Sequence, residues 1–146
     1  MVIRIGKAVG LLGLGAAITL VAAILMGWPP LAASSPEVTF TVQDRAGQAN
    51  SSRAVVLDFA SAHRFTLLGS QEEAMNPDTL YSHQLFRLDS HIFFRRGVRP
   101  GETDVDFRKS IIPWGKSAGE VRRLAHIFEQ QTTSQGFRVD TRRPDE

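Results

Sequence analysis

The sequence predicts an α+β protein in which an N-terminal single transmembrane helix precedes a small mixed or antiparallel sheet with one main helix packed on it. Three observations carry that expectation: an uncharged apolar run from Ala8 to Trp28, apolar and polar residues alternating from Val38 to Gln43, and an amphipathic stretch that opens on Ser117. The expected organisation is a basic cytoplasmic N-terminus over 1–7, a signal-anchor span over 8–28, a tether over 29–36, an extracytoplasmic domain over 37–141 and a tail over 142–146.

The apolar run, AVGLLGLGAAITLVAAILMGW, is long enough as a helix to cross the roughly 30 Å hydrocarbon core of a bilayer at ~1.5 Å per residue. A helix suits that setting because it bonds its own backbone groups where no water can. Arg4 and Lys7 precede the run without an acidic residue, which keeps the amino end cytoplasmic and sends the rest across. Trp28 fits the far interface, and Pro29 and Pro30 stop the helix. Gly15, Thr19, Ala23 and Gly27 recur every fourth residue, a small-residue stripe that lets two helix backbones approach closely. The expected partners are therefore other membrane-protein subunits, or a second copy through the same helix. The competing reading is a cleaved secretory signal, processed near Ala32 to Ser35. Its apolar part would exceed the usual length of about 7–15 residues. Both readings place the remainder outside the cytoplasm, and the expected location is a bacterial inner (plasma) membrane with a periplasmic or extracellular domain.

Past the tether about 110 residues remain, enough for one domain with one core. All fifteen acidic residues, and every basic residue except Arg4 and Lys7, follow Pro36, so the domain is neutral and the +2 of the chain belongs to its amino end. A pI near 9.5 is thus no sign of nucleic-acid binding, and no nucleic-acid partner is expected. The absence of cysteine rules out disulfides and a lipid-modified N-terminal cysteine.

Along the domain, Val38, Phe40 and Val42 alternate with Thr39, Thr41 and Gln43, the period of a half-buried strand. Asp44 to Ser52 carries turn chemistry and reads as a loop. Val55, Leu57 and Phe59 also alternate, while Ala54, Leu57, Asp58, Ser61, Ala62 and Phe65 permit a helical turn or two; of the two a strand is favoured there, then a break over Ala60 to His63 and a second strand over Phe65 to Leu68. Gly69 to Thr79 reads as a loop with one helical turn at Gln71 to Met75. Tyr81 to Leu88 and His91 to Val98 flank Asp89-Ser90 as an antiparallel hairpin rich in aromatic and β-branched residues. Arg99 to Lys109 (RPGETDVDFRK) reads as a charged, solvated loop.

Ser117 and Glu120 then form a capping box. Val121, Leu124, Ala125 and Phe128 give the following helix one apolar face, and Gly136 marks its end. A short strand over Phe137 to Asp140 closes the domain.

Chemical motifs are sparse. Gly115-Lys116-Ser117 lacks the earlier glycine that a phosphate-binding loop requires, because Ser110 stands in its place. His63, His83, His91 and His126 match no ligand spacing, although His83 and His91 would approach across the hairpin near Asp89. Asp104 and Asp106 flank Val105 in a segment read as a solvated loop. Arg95, Arg96 and Arg99 form a local basic cluster suited to partner carboxylates or lipid headgroups. No metal, cofactor or catalytic residue is expected. The function expected is that of a non-catalytic accessory or assembly subunit of a bacterial membrane complex, with a protein-interaction domain outside the cytoplasm. The alternatives are a periplasmic small-ligand binding or sensory domain, or a hydrolase using His83, His91 or Asp89, after a cleaved signal.

Overall fold

A computed structural model describes residues 34–45, 51–76, 82–111 and 114–142. They belong to one compact unit, Ala33–Glu146. The expected span over 8–28 and its stripe of Gly15, Thr19, Ala23 and Gly27 lie outside the described residues. Among the described residues no helix is long and apolar enough to cross a membrane.

The elements run β1 (Pro36–Gln43), α1 (Ser52–Ala62), β2 (Thr66–Leu68), α2 (Gln71–Met75), β3 (Ser82–Arg87), β4 (Ser90–Arg96), β5 (Glu102–Lys109), α3 (Ala118–Ser134) and β6 (Arg138–Arg142). Six strands form one sheet in the order β2-β3-β4-β5-β1-β6, and each neighbouring pair is antiparallel. The domain is thus α+β, an antiparallel sheet with the long helix α3 packed on it. The first strand lies inside the sheet, between β5 and β6.

Periodicity explains the core. Phe40 and Val42 of β1, Ile92 and Phe94 of β4, and Val105 and Phe107 of β5 point to one face and are buried. On that face α3 lays Val121, Leu124, Ala125 and Phe128. The Phe128 ring centroid lies 5.8 Å from Phe40, 5.4 Å from Phe107 and 5.1 Å from Phe59. Each such side chain contributes about 1.5–3 kcal/mol by leaving water. The start of α3 follows the expected capping box: the Ser117 hydroxyl accepts the Glu120 N–H, and the Glu120 carboxylate accepts the Ser117 N–H at 2.9 Å. The Gly-Lys-Ser turn is therefore the entrance to a helix. Gly136, at φ +90°, follows the end of α3.

Four expectations are corrected. The segment expected as a strand from Ala54 is the helix α1. Ser51 caps it by accepting the Ala54 N–H, and Val55, Val56, Phe59 and Ala60 fall on one helical face and are buried. That face delivers Phe59 to the aromatic cluster, where its ring lies 6.1 Å from Phe107; tertiary packing overrides the β preference of Val and Phe. The segment read as a solvated loop up to Lys109 contains β5, a central strand whose residues Glu102 to Phe107 are all buried. Glu102, Asp104, Asp106 and Arg108 occupy alternate positions, so they share one face and leave Thr103, Val105 and Phe107 for the core. In the hairpin, Arg87 pairs with Ser90, which makes Leu88-Asp89 the turn, one residue earlier than expected. The last strand, β6, also runs on to Arg142.

Candidate docking face

Helices α1 and α3 cover one side of the sheet; among the described residues no helix covers the other. Antiparallel sheets commonly leave one face to solvent, and here that face is polar. Glu102, Asp104 and Asp106 project from β5 opposite Gln43, Thr41 and Thr39 of β1. Each pair is closed by a side-chain hydrogen bond: Thr39 Oγ1 donates to Asp106 Oδ1 at 2.8 Å, Thr41 Oγ1 to Asp104 Oδ1 at 2.7 Å, and Gln43 Nε2 to Glu102 Oε1 at 3.0 Å.

The second oxygen of each carboxylate faces another donor. Arg108 donates to Asp106 Oδ2 at 2.8 Å, Arg95 Nε lies 3.7 Å from Asp104 Oδ2, and the Arg99 backbone N–H donates to Glu102 Oε2 at 3.0 Å. Arg108 also stacks on Phe93 of β4, 4.6 Å from guanidinium carbon to ring centroid. With these partners Asp104 and Asp106 are only 5% and 6% exposed on a face that no helix among the described residues covers. A buried carboxylate is tolerable only when paired and hydrogen-bonded, and the threonine row of β1 supplies the constant partner. This ladder was not anticipated from the sequence. Its visible signal is the match between Thr39-x-Thr41-x-Gln43 and Glu102-x-Asp104-x-Asp106, which becomes meaningful only once β1 and β5 are known to pair.

The three arginines of the expected cluster do not form one patch. Arg95 lies on the open face beside Asp104, with its side chain 56% exposed. Arg96, the next residue on the strand, turns to the helix side and lines a cleft of about 260 Å³ with Ser51, Ser52, Arg53 and Thr103. Arg99 stands on the exposed β4–β5 turn, near Thr41 and Asp140. At the start of α1, the Ser52 N–H donates to Asp44 Oδ1 and the Ser52 hydroxyl bonds to Thr103, so acidic and hydroxyl side chains already serve that helix end.

The histidines are dispersed. His83 pairs with Phe94 and His91 with Phe86, which puts the two imidazoles on opposite faces of the sheet and prevents a shared ligand. Burial holds the His91 ring below its ordinary pKa, against an opposing pull from Asp89. At the end of α1, burial and then the charge of Arg87 lower His63. His126 is exposed on α3 beside Glu129 and Gln130. Burial raises the Asp89 carboxyl, but the bonds from Arg87 and Ser90 and the charges of Arg87 and Lys116 outweigh it and hold the group below its usual range. Asp89 thereby staples its own turn. Among the described residues no three His, Asp or Glu side chains are grouped to hold a metal ion.

No protein-family model, curated protein or solved structure matches this chain.

Proposed function

We propose that the protein is a non-catalytic, single-pass accessory or assembly subunit of a bacterial membrane complex, and that the open polar face of its extracytoplasmic sheet is where a partner protein docks. One observation carries this reading: Asp104 and Asp106 are nearly buried on a face that no helix among the described residues covers, each bonded to a β1 threonine and facing an arginine. A face whose side chains are already fixed loses little conformational entropy when a partner arrives. Charges of both signs at set positions select a complementary surface more than they add raw affinity. The same engagement occupies the carboxylate oxygens, so neither aspartate is poised for acid–base work. The apolar span over 8–28 would hold the domain at the membrane, with Gly15, Thr19, Ala23 and Gly27 packing against a partner helix.

Photo-crosslinking in the native membrane tests the docking face. A benzophenone side chain at position 95, on the open face, should yield a discrete adduct with a second protein, and the same probe at the exposed His126 on α3 should not. Equal adducts from both positions, or none from position 95, would remove the docking face from consideration.

A further inference from the structure

We propose that the rim of the domain bearing Leu88, Ile111 and Trp114 rests on the phospholipid headgroup layer. The proposal builds on the anchored reading above and names a bilayer surface as the occupant.

Several segments meet at this rim. The chain reaches the domain at Ser34, whose hydroxyl donates to the Lys109 carbonyl at 2.7 Å and whose own carbonyl accepts from Arg108 at 3.2 Å. Lys109 ends β5 directly opposite Ser90, the first residue of β4. The β3–β4 turn is tied in as well: the Lys116 N–H donates to the Asp89 carbonyl at 2.9 Å, and its ammonium lies 3.4 Å from Asp89 Oδ2. The arriving chain, the Leu88-Asp89 turn and the segment leading into α3 therefore share one end of the sheet.

That end concentrates what a bilayer surface takes. Leu88, Ile111 and Trp114 are 45%, 50% and 76% exposed, while Met75 and Val98, the other exposed large apolar side chains among the described residues, sit apart on α2 and the β4–β5 turn. An indole open to water gains by placing its ring among headgroups and acyl chains and its N–H at the wet boundary. Lys109, one of the two lysines after Lys7, is on the same rim; the other, Lys116, is paired with Asp89. An ammonium on a flexible stem suits lipid phosphate as a point charge.

Chain length supplies the second constraint. From Trp28 to Ser34 an extended chain covers no more than roughly 20 Å, less than the roughly 30 Å breadth of a domain this size. If the span ends at Trp28, the rim that receives Ser34 faces the bilayer. β4 runs about 20 Å from Ser90 to Arg96, which puts Arg95, Arg96 and Arg99 at the end of the sheet opposite this rim.

The test uses the full chain with Trp28→Phe, which leaves Trp114 as the single tryptophan, reconstituted in phosphatidylcholine–phosphatidylglycerol vesicles with plain or brominated acyl chains. Trp114 emission should be blue-shifted and should drop at least about twofold with brominated lipid. Emission that is water-like and indifferent to bromine would overturn the proposal. So would blue-shifted emission indifferent to bromine, which would mean that protein, such as a second copy, covers the rim. An alkaline carbonate wash of the same vesicles reports on the anchor separately. A retained chain with unquenched Trp114 keeps the anchor and ends the rim proposal. A released chain whose Trp114 is quenched on return to brominated vesicles ends the anchored reading and keeps the rim.

Discussion

Replacing Thr41 by valine preserves its shape and removes one donor. Asp104 would then lose the 2.7 Å bond to Oδ1 while remaining nearly buried. Its other contact offers little compensation, because Arg95 Nε stands 3.7 Å away on a largely exposed side chain and a pair of that kind is screened by solvent. Removing a hydrogen bond to a buried charged group costs about 1.5–3 kcal/mol, which lowers the midpoint of a domain this size by roughly 10 °C. Thr39→Val should cost less, because Asp106 keeps a direct 2.8 Å bond from Arg108. The double variant Thr41→Val/Asp104→Val should regain most of the loss, since removing both partners leaves no buried charge unpaired. Urea unfolding of the wild type and these three variants, followed by circular dichroism, measures these differences. If Thr41→Val matched wild type within about 0.5 kcal/mol, or the double variant were no more stable than the single, the ladder would not be what holds these carboxylates in place.

Two further outcomes follow from the core and from the titrating groups. Phe128→Ala empties the centre of the aromatic cluster and should cost about 3–5 kcal/mol, a large part of the stability of a small domain, readable in the same unfolding experiment. His63 and His91 are held below their ordinary value of 6.5, so in acid the unfolded chain binds their protons before the folded one does. Their contribution is complete above about pH 6.5 and is lost as pH falls below it. Asp89 and Glu120, lowered from 3.8 and 4.5, extend the loss further into acid. A melting temperature that falls between pH 7 and pH 5, and falls less in His91→Gln, is the expected result; a flat profile would contradict the buried neutral imidazole.

Local chemistry was legible in the sequence. The capping box at Ser117, the apolar face of α3, the alternation of β1 and the hairpin of β3 and β4 each announce themselves within a few residues. The ambiguous stretch at Val55 was not legible, because β-branched and aromatic residues fit a strand and a packed helix equally well until Phe59 is seen against Phe107 and Phe128. β5 was hidden for a different reason. Its carboxylates look solvated, and the threonines that satisfy them lie more than fifty residues earlier, so the polar face could not be read before strand pairing was known. Arg95 and Arg96 looked like one cluster because neighbours in sequence are easily taken for neighbours in space; the pleat sends them to opposite sides.

The position of β1 has a mechanical consequence. It is the strand by which the domain is joined to whatever precedes Ser34, and it is flanked along Pro36–Gln43 by β5 and along Thr39–Gln43 by β6. Inter-strand hydrogen bonds lie across the strand axis, so a pull on the chain at Ser34 loads both ladders in shear, with many bonds sharing the tension at once instead of opening one after another. An edge strand in the same role would peel. Attached through a strand paired on both sides, the domain resists being drawn off at Ser34, and β2, at the far edge of the sheet and paired only with β3, carries none of that load directly.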